Sequence, residues 1–111
     1  MSIILVALGG GLGAILRYFL AYSLSLSSYS AILMINFLGS FIIGYFFKQV
    51  DSQLWYFVVI GFCGAFTTFS TYSLETIRML MAGNLQQLVI YILLMNSVCI
   101  LSCWLGVKIA T

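Results

Sequence analysis

From Leu54 to Met81 the chain is apolar at both ends, yet its middle reads GFCGAFTTFSTYSLE (Gly61–Glu75). That run carries two glycines and five hydroxyl side chains, at Thr67, Thr68, Ser70, Thr71 and Ser73. At bilayer depth, irregular backbone is tolerated only when it is buried in protein or lines a watery cavity. Short, interrupted hydrophobic segments are also where ion and substrate sites are built in transport proteins. The segment is longer than one straight crossing needs, and it reads as two half-helices flanking a break. The alternative is a hydroxyl-rich packing face, since Gly, Ser and Thr also let helices approach closely. Five hydroxyls within seven residues favour the break.

The rest of the chain makes the membrane setting unavoidable. Charged residues are 5% of the 111, hydrophobic residues 64%, and mean hydropathy is +1.21. A water-facing surface needs about 25% charged residues. One all-α, four-helix transmembrane domain over residues 1–111 is expected. Met1-Ser2 offers no basic region and no cleavage site follows, so no signal peptide is expected. Without His, and with Asp51 and Glu75 as the only acids, neither a transition-metal site nor a nucleophile–base pair can be assembled. Nothing basic enough to bind nucleic acid is present. Cys63, Cys99 and Cys103 fall in apolar spans, where a free thiol packs as a small hydrophobe.

In chain order, the first span runs from Ile3 to about Leu24. Its Gly9 and Gly13 form a GxxxG face for close helix contact. Arg17 lies about 10 Å before the end of that span. It either snorkels to the interface or faces an anion-attracting vestibule. Ser23–Ser30 is a polar connection, and the second span runs from Ala31 to about Phe47. Asn36, Ser40 and Gly44 share a face there, serving either as helix-helix glue or as a pore-facing amide. Trp55 and Tyr56 anchor the third span at an interface. Glu75 is expected in or near the first turn of the second half-helix, where an acid is favoured. Arg78 at i+3 offers it an ion pair. The last span runs from Leu88 to about Val107, with Tyr91 near its start as either a belt or a pore-lining residue.

Four spans put Lys48 and Lys108 on one side and Arg17 and Arg78 on the other. The positive-inside difference is two minus two, zero, so no orientation is encoded. Four helices also have too little interior to enclose a pathway. Both points favour a dimer, with oppositely oriented copies and pathways at the interface.

GGLGAILRY (Gly10–Tyr18 here, read from Gly10), NFLGSF (Asn36–Phe41) and the Gly61–Glu75 run, in that order, resemble the bacterial fluoride channel family, Fluc, also called CrcB. The resemblance implies an antiparallel dual-topology dimer in the bacterial inner membrane, with two pores that pass fluoride passively and relieve its toxicity. It implies a structural Na+, not transported, held by backbone carbonyls corresponding to Gly64 and Thr67. It assigns Asn36, Phe69, Ser70, Thr71, Tyr72, Glu75 and Tyr91 to the fluoride pore and Arg17 to the vestibule. Membrane lipid and a second subunit, identical or related, are the implied partners.

This chain departs from the family pattern at three positions. Tyr72 stands where the family has Phe. Met95 and Cys99 stand where the fourth helix usually carries Ser or Thr. A weakened pore lining raises the alternative of a heterodimer with a related subunit. A small multidrug-type antiporter is the rival of similar size, but it requires a carboxylate in the first helix, and that helix has Arg17 and no acid.

Overall fold

A computed structural model describes all residues, 1–111. It is entirely helical. Helix α1 spans Ser2–Ser23 and α2 spans Ser28–Tyr45. A helix of wide, π-type turns, Trp55–Cys63, runs directly into a single α-turn, α3 (Gly64–Phe66). Helix α4 spans Phe69–Met81 and α5 spans Leu85–Ala110. Trp55–Met81 acts as one span, so four segments are long and apolar enough to cross a membrane. The molecule is 47 Å along its longest axis. A bilayer with its headgroup regions is about 40–45 Å thick.

Two seams hold the spans together. In the first, α1 lies against the wide-turned helix and α3. A Cβ on Gly9 would overlap the Phe57 carbonyl, and one on Gly13 would overlap the Phe62 carbonyl. From the other side, a Cβ on Gly61 would sit 2.7 Å from the Val6 carbonyl. In the second seam α2 lies against α5. Gly44 meets Cys103 and Gly106 meets Phe41, each with no room for a side chain. Ser102, 2% exposed, donates to the Phe37 carbonyl at 2.8 Å and stitches this seam. Lipid is as apolar as Leu, so helices in it associate through close packing and hydrogen bonds instead of hydrophobic expulsion.

The ends differ in detail from the sequence expectation. Helix α2 starts at Ser28, inside the stretch assigned to a connection. Helix α5 starts at Leu85 instead of Leu88. The α4–α5 turn is short because Gly83 takes φ +77. That lets the Asn84 and Gly83 N–H groups close on the Met79 and Leu80 carbonyls, the Schellman arrangement that only a residue tolerant of the left-handed region allows. The buried core is one cluster containing Ile32, Ile35, Phe66, Tyr72, Met79, Tyr91 and Met95.

Candidate ion site at an interrupted helix

The third span leaves helical geometry at Thr67 (φ −78, ψ 157) and Thr68 (φ −148, ψ 112), both extended. In a continuous helix the Thr68 N–H would donate to the Gly64 carbonyl and the Thr71 N–H to the Thr67 carbonyl. Both donors are diverted. Thr68 N–H goes to Asn36 Oδ1 at 2.8 Å, and Thr71 N–H goes to Thr68 Oγ1 at 3.1 Å. The second bond is an N-cap, and it starts α4 immediately after the break. Gly64 and Thr67 are thereby left with carbonyls that have lost their helical donors.

Asn36 reaches across from α2 and clamps the gap. Its Nδ2 donates to the Thr68 carbonyl at 3.2 Å and to Met95 Sδ at 3.4 Å. Asn36 therefore binds the helices together, as one of its two readings expected, and it also lines a cavity. The five hydroxyls are likewise engaged. Thr67 donates to the Cys63 carbonyl at 2.8 Å, Thr68 donates to Thr71 at 3.0 Å, and Ser70 sits 3.2 Å from Thr68 Oγ1. Ser73 bonds back to the Phe69 carbonyl at 2.9 Å.

A cavity of about 370 Å³ opens at the break. Asn36, Ser40, Thr67, Tyr72, Met95 and Asn96 line it, with Gly64, Phe69 and Cys99. Gly39 lies in its wall, and a Cβ there would overlap the Thr67 side chain. Phe69 is 77% exposed on the outer surface. Its ring meets Tyr72 edge-on at 5.4 Å, Tyr72 meets Tyr91 at 5.3 Å, and Tyr91 meets Tyr29 at 6.0 Å. Four aromatic rings thus run inward from the surface. Tyr91, 3% exposed, has a hydroxyl with no hydrogen-bond partner.

A second cavity, about 480 Å³, is lined by Arg17, Tyr18, Tyr22, Ser28 and Thr71, among others. Arg17 faces it, and its buried Nε has no partner. Glu75 lies deeper in α4 than its sequence position suggested. It is the seventh residue of that helix, and no acid occupies the first turn, so its placement does not draw on the helix dipole. The cause is that the break falls at Thr67–Thr68, and α4 is already capped at Thr68. Glu75 is instead held by its neighbours: Ser28 donates to Oε1 at 2.8 Å and Arg78 Nη1 at 3.0 Å.

The candidate residues fall into three groups. Asn36, Gly64, Thr67, Phe69 and Tyr72 surround the first cavity, and Arg17 and Thr71 the second. Ser70, Glu75 and Tyr91 line neither. Sequence reasoning did not single out Asn96 as a cavity residue, although its polar amide one position after Met95 was a visible signal.

Four apolar spans around an interrupted third segment, with freed carbonyls beside a polar cavity, define a multi-pass membrane protein of the ion-transport kind. Residues 4–107 match the family described as CrcB-like protein, Camphor Resistance (CrcB). The chain belongs to that family. It is 38% identical to a fluoride-specific ion channel FluC of Campylobacter jejuni, covering 95% of this chain and 93% of the relative. It is 40% identical to one from Leptospira interrogans, covering 89% and 81%. It is 39% identical to one from Magnetococcus marinus, covering 98% and 97%. The family is one of channels, not enzymes.

Proposed function

We propose that this protein is a passive fluoride channel of the bacterial inner membrane, working as an antiparallel homodimer that lets cytoplasmic fluoride out. Family membership joined to the interrupted third span is the observation that carries the reading. The break lies near the middle of the 27-residue segment Trp55–Met81, which supports a position near the middle of the bilayer. The balanced Lys and Arg count supports dual topology. The exposed Phe69 supports a partner surface beside the break. The antiporter reading loses its ground to the family match.

A structural Na+ fits the chemistry of the break. Hard cations take carbonyl oxygen, and unwound carbonyls at broken membrane helices coordinate Na+. Gly64 and Thr67 offer such oxygens, both beside the first cavity. Two carbonyls from one copy and two from an opposed copy would surround the ion. Its charge would offset the potential of an anion nearby.

Fluoride would enter from the Arg17 cavity, where an unpaired guanidinium nitrogen draws anions. It would pass a lining drawn from both copies: Asn36, Ser70, Thr71, Tyr72, Glu75 and Tyr91, with the positive ring edge of Phe69. Hydroxyl donors and ring edges in this lining would replace its water without a fixed positive charge that would trap it. The test is efflux from liposomes loaded with fluoride or chloride. Fluoride leaving rapidly and chloride staying is the expected result. Equal passage of both, or of neither, overturns the proposal.

A further inference from the structure

Apart from Ser40 and Tyr72, the polar side chains lining the first cavity have their hydrogen-bond donors committed. Both Asn36 amide hydrogens are committed, to the Thr68 carbonyl and Met95 Sδ. The Thr67 hydroxyl is committed to the Cys63 carbonyl and that of Thr68 to Thr71. Met95 and Cys99 fill positions on α5 where a hydroxyl would face the same space, and Cys99 Sγ itself turns to Met95 Sδ at 3.8 Å.

Tyr72 is different, and Asn96 is the reason. Asn96 Nδ2 donates to the Ile92 carbonyl at 2.9 Å. A carbonyl only accepts, so this bond fixes which end of the amide is NH2. The same Nδ2 lies 3.4 Å from the Tyr72 hydroxyl. The Tyr72 oxygen is therefore the acceptor, and its own proton has no acceptor in the protein. Tyr72 and Asn96 both line the cavity. The Tyr72 ring is fixed between Phe69 and Tyr91 and is only 8% exposed.

We propose that the Tyr72 hydroxyl is an anion donor in this cavity, oriented by Asn96 acting as a positioning residue, and that it supplies a donor that Met95 and Cys99 do not. The inference rests on the fluoride-channel reading and deepens it. An amide donating into the hydroxyl oxygen also strengthens that hydroxyl as a donor, because hydrogen bonds in a chain polarise one another. A phenol carries no net charge, so the anion is released as readily as it is held. The weakened lining then becomes a relocated one, and the chain needs no related subunit to conduct.

The experiment is fluoride efflux from liposomes containing the purified protein alone, with four forms: unmodified, Tyr72→Phe, Asn96→Leu, and both changes together. Tyr72→Phe keeps the ring contacts and removes one O–H, and it should slow efflux about tenfold, the worth of one hydrogen bond to an ion. Asn96→Leu should slow it less. In the Tyr72→Phe background Asn96→Leu should add nothing, because the pair acts as a unit. That non-additivity separates positioning from a merely structural role, which would lower the rate in both backgrounds. Asn96 is exposed, and replacing it leaves the buried core intact. A conducting protein with an equally fast Tyr72→Phe form overturns the donor role alone. Equal losses from Asn96→Leu in both backgrounds overturn the positioning role. No efflux from the unmodified protein overturns this inference and the channel reading together.

Discussion

Along the α1 seam, backbone lies against backbone; at Thr67–Thr68, backbone lies against side chains. Gly9, Gly13 and Gly61 do their work by having no side chain, so that the carbonyls of Phe57, Phe62 and Val6 can come into contact. Asn36 and Thr68 work the opposite way, by supplying polar atoms where the helix has given up its own bonds. The seam is too closely packed to admit a side chain. The break keeps its backbone groups satisfied on one side and leaves carbonyls open on the other. One membrane span can therefore be anchored firmly and still expose main-chain oxygen, provided the two tasks fall on different residues.

The largest expected effect comes from filling the seam. In Gly9→Leu or Gly13→Leu the new Cβ meets a carbonyl, which cannot turn aside as a side chain would. Such overpacking costs about 1–3 kcal/mol or more, and little protein should be recovered as a single species on gel filtration. Gly11→Ala is the contrast, since nothing lies within 4 Å of its Cβ. Normal recovery of Gly13→Leu would break the distinction between seam and break.

Next in size is Asn36→Leu. Thr68 is 7% exposed, and this change strips partners from both its N–H and its carbonyl. Each buried group left unpaired costs about 1–3 kcal/mol. The seams remain, so the protein should be recovered but melt earlier in a thermal unfolding assay, with fluoride efflux lost. Efflux preserved alongside a lowered melting temperature would sharpen the comparison, leaving Asn36 as a clamp alone.

Much of this contrast was legible in the residues, and the reasons are specific. Gly9 and Gly13 announced a close contact because a four-residue spacing puts both on one face. The hydroxyl run located the interruption because five hydroxyls within seven residues of an apolar segment exceed what close helix packing needs. The wide turns of Trp55–Cys63 left no trace, since a segment apolar on every side has no period from which to read its pitch. Glu75 was misplaced because the two-residue break could have fallen anywhere among the hydroxyls, and only the Thr68 cap fixes it. The Asn96–Tyr72 bond joins residues 24 apart. No spacing rule reaches across two helices.

Ser102→Ala tests the second seam at one atom. It removes the 2.8 Å bond to the Phe37 carbonyl and leaves the glycine contacts of Gly44 and Gly106 in place. Interhelical hydrogen bonds in membranes average about 0.6 kcal/mol, so a small drop in melting temperature is expected with efflux unchanged. A loss as large as that of Asn36→Leu would mean that the seams depend on polar atoms as the break does.

The smallest effect should come from Arg78→Ala. The Arg78 side chain is 63% exposed while its partner Glu75 is 8% exposed, so the pair is half in and half out of solvent. Exposed ion pairs contribute about 0.2–1 kcal/mol, and removing Arg78 leaves Glu75 its bond from Ser28 at 2.8 Å. Glu75 should keep its position, and both melting temperature and efflux should change little, whatever the salt concentration. Glu75→Gln in the same assay asks whether the charge matters once its position is held. An amide still accepts from Ser28 through its carbonyl end, so a fall in efflux without a fall in melting temperature would assign the carboxylate to the pathway. A fall in both would assign it to the packing of α4 against the start of α2.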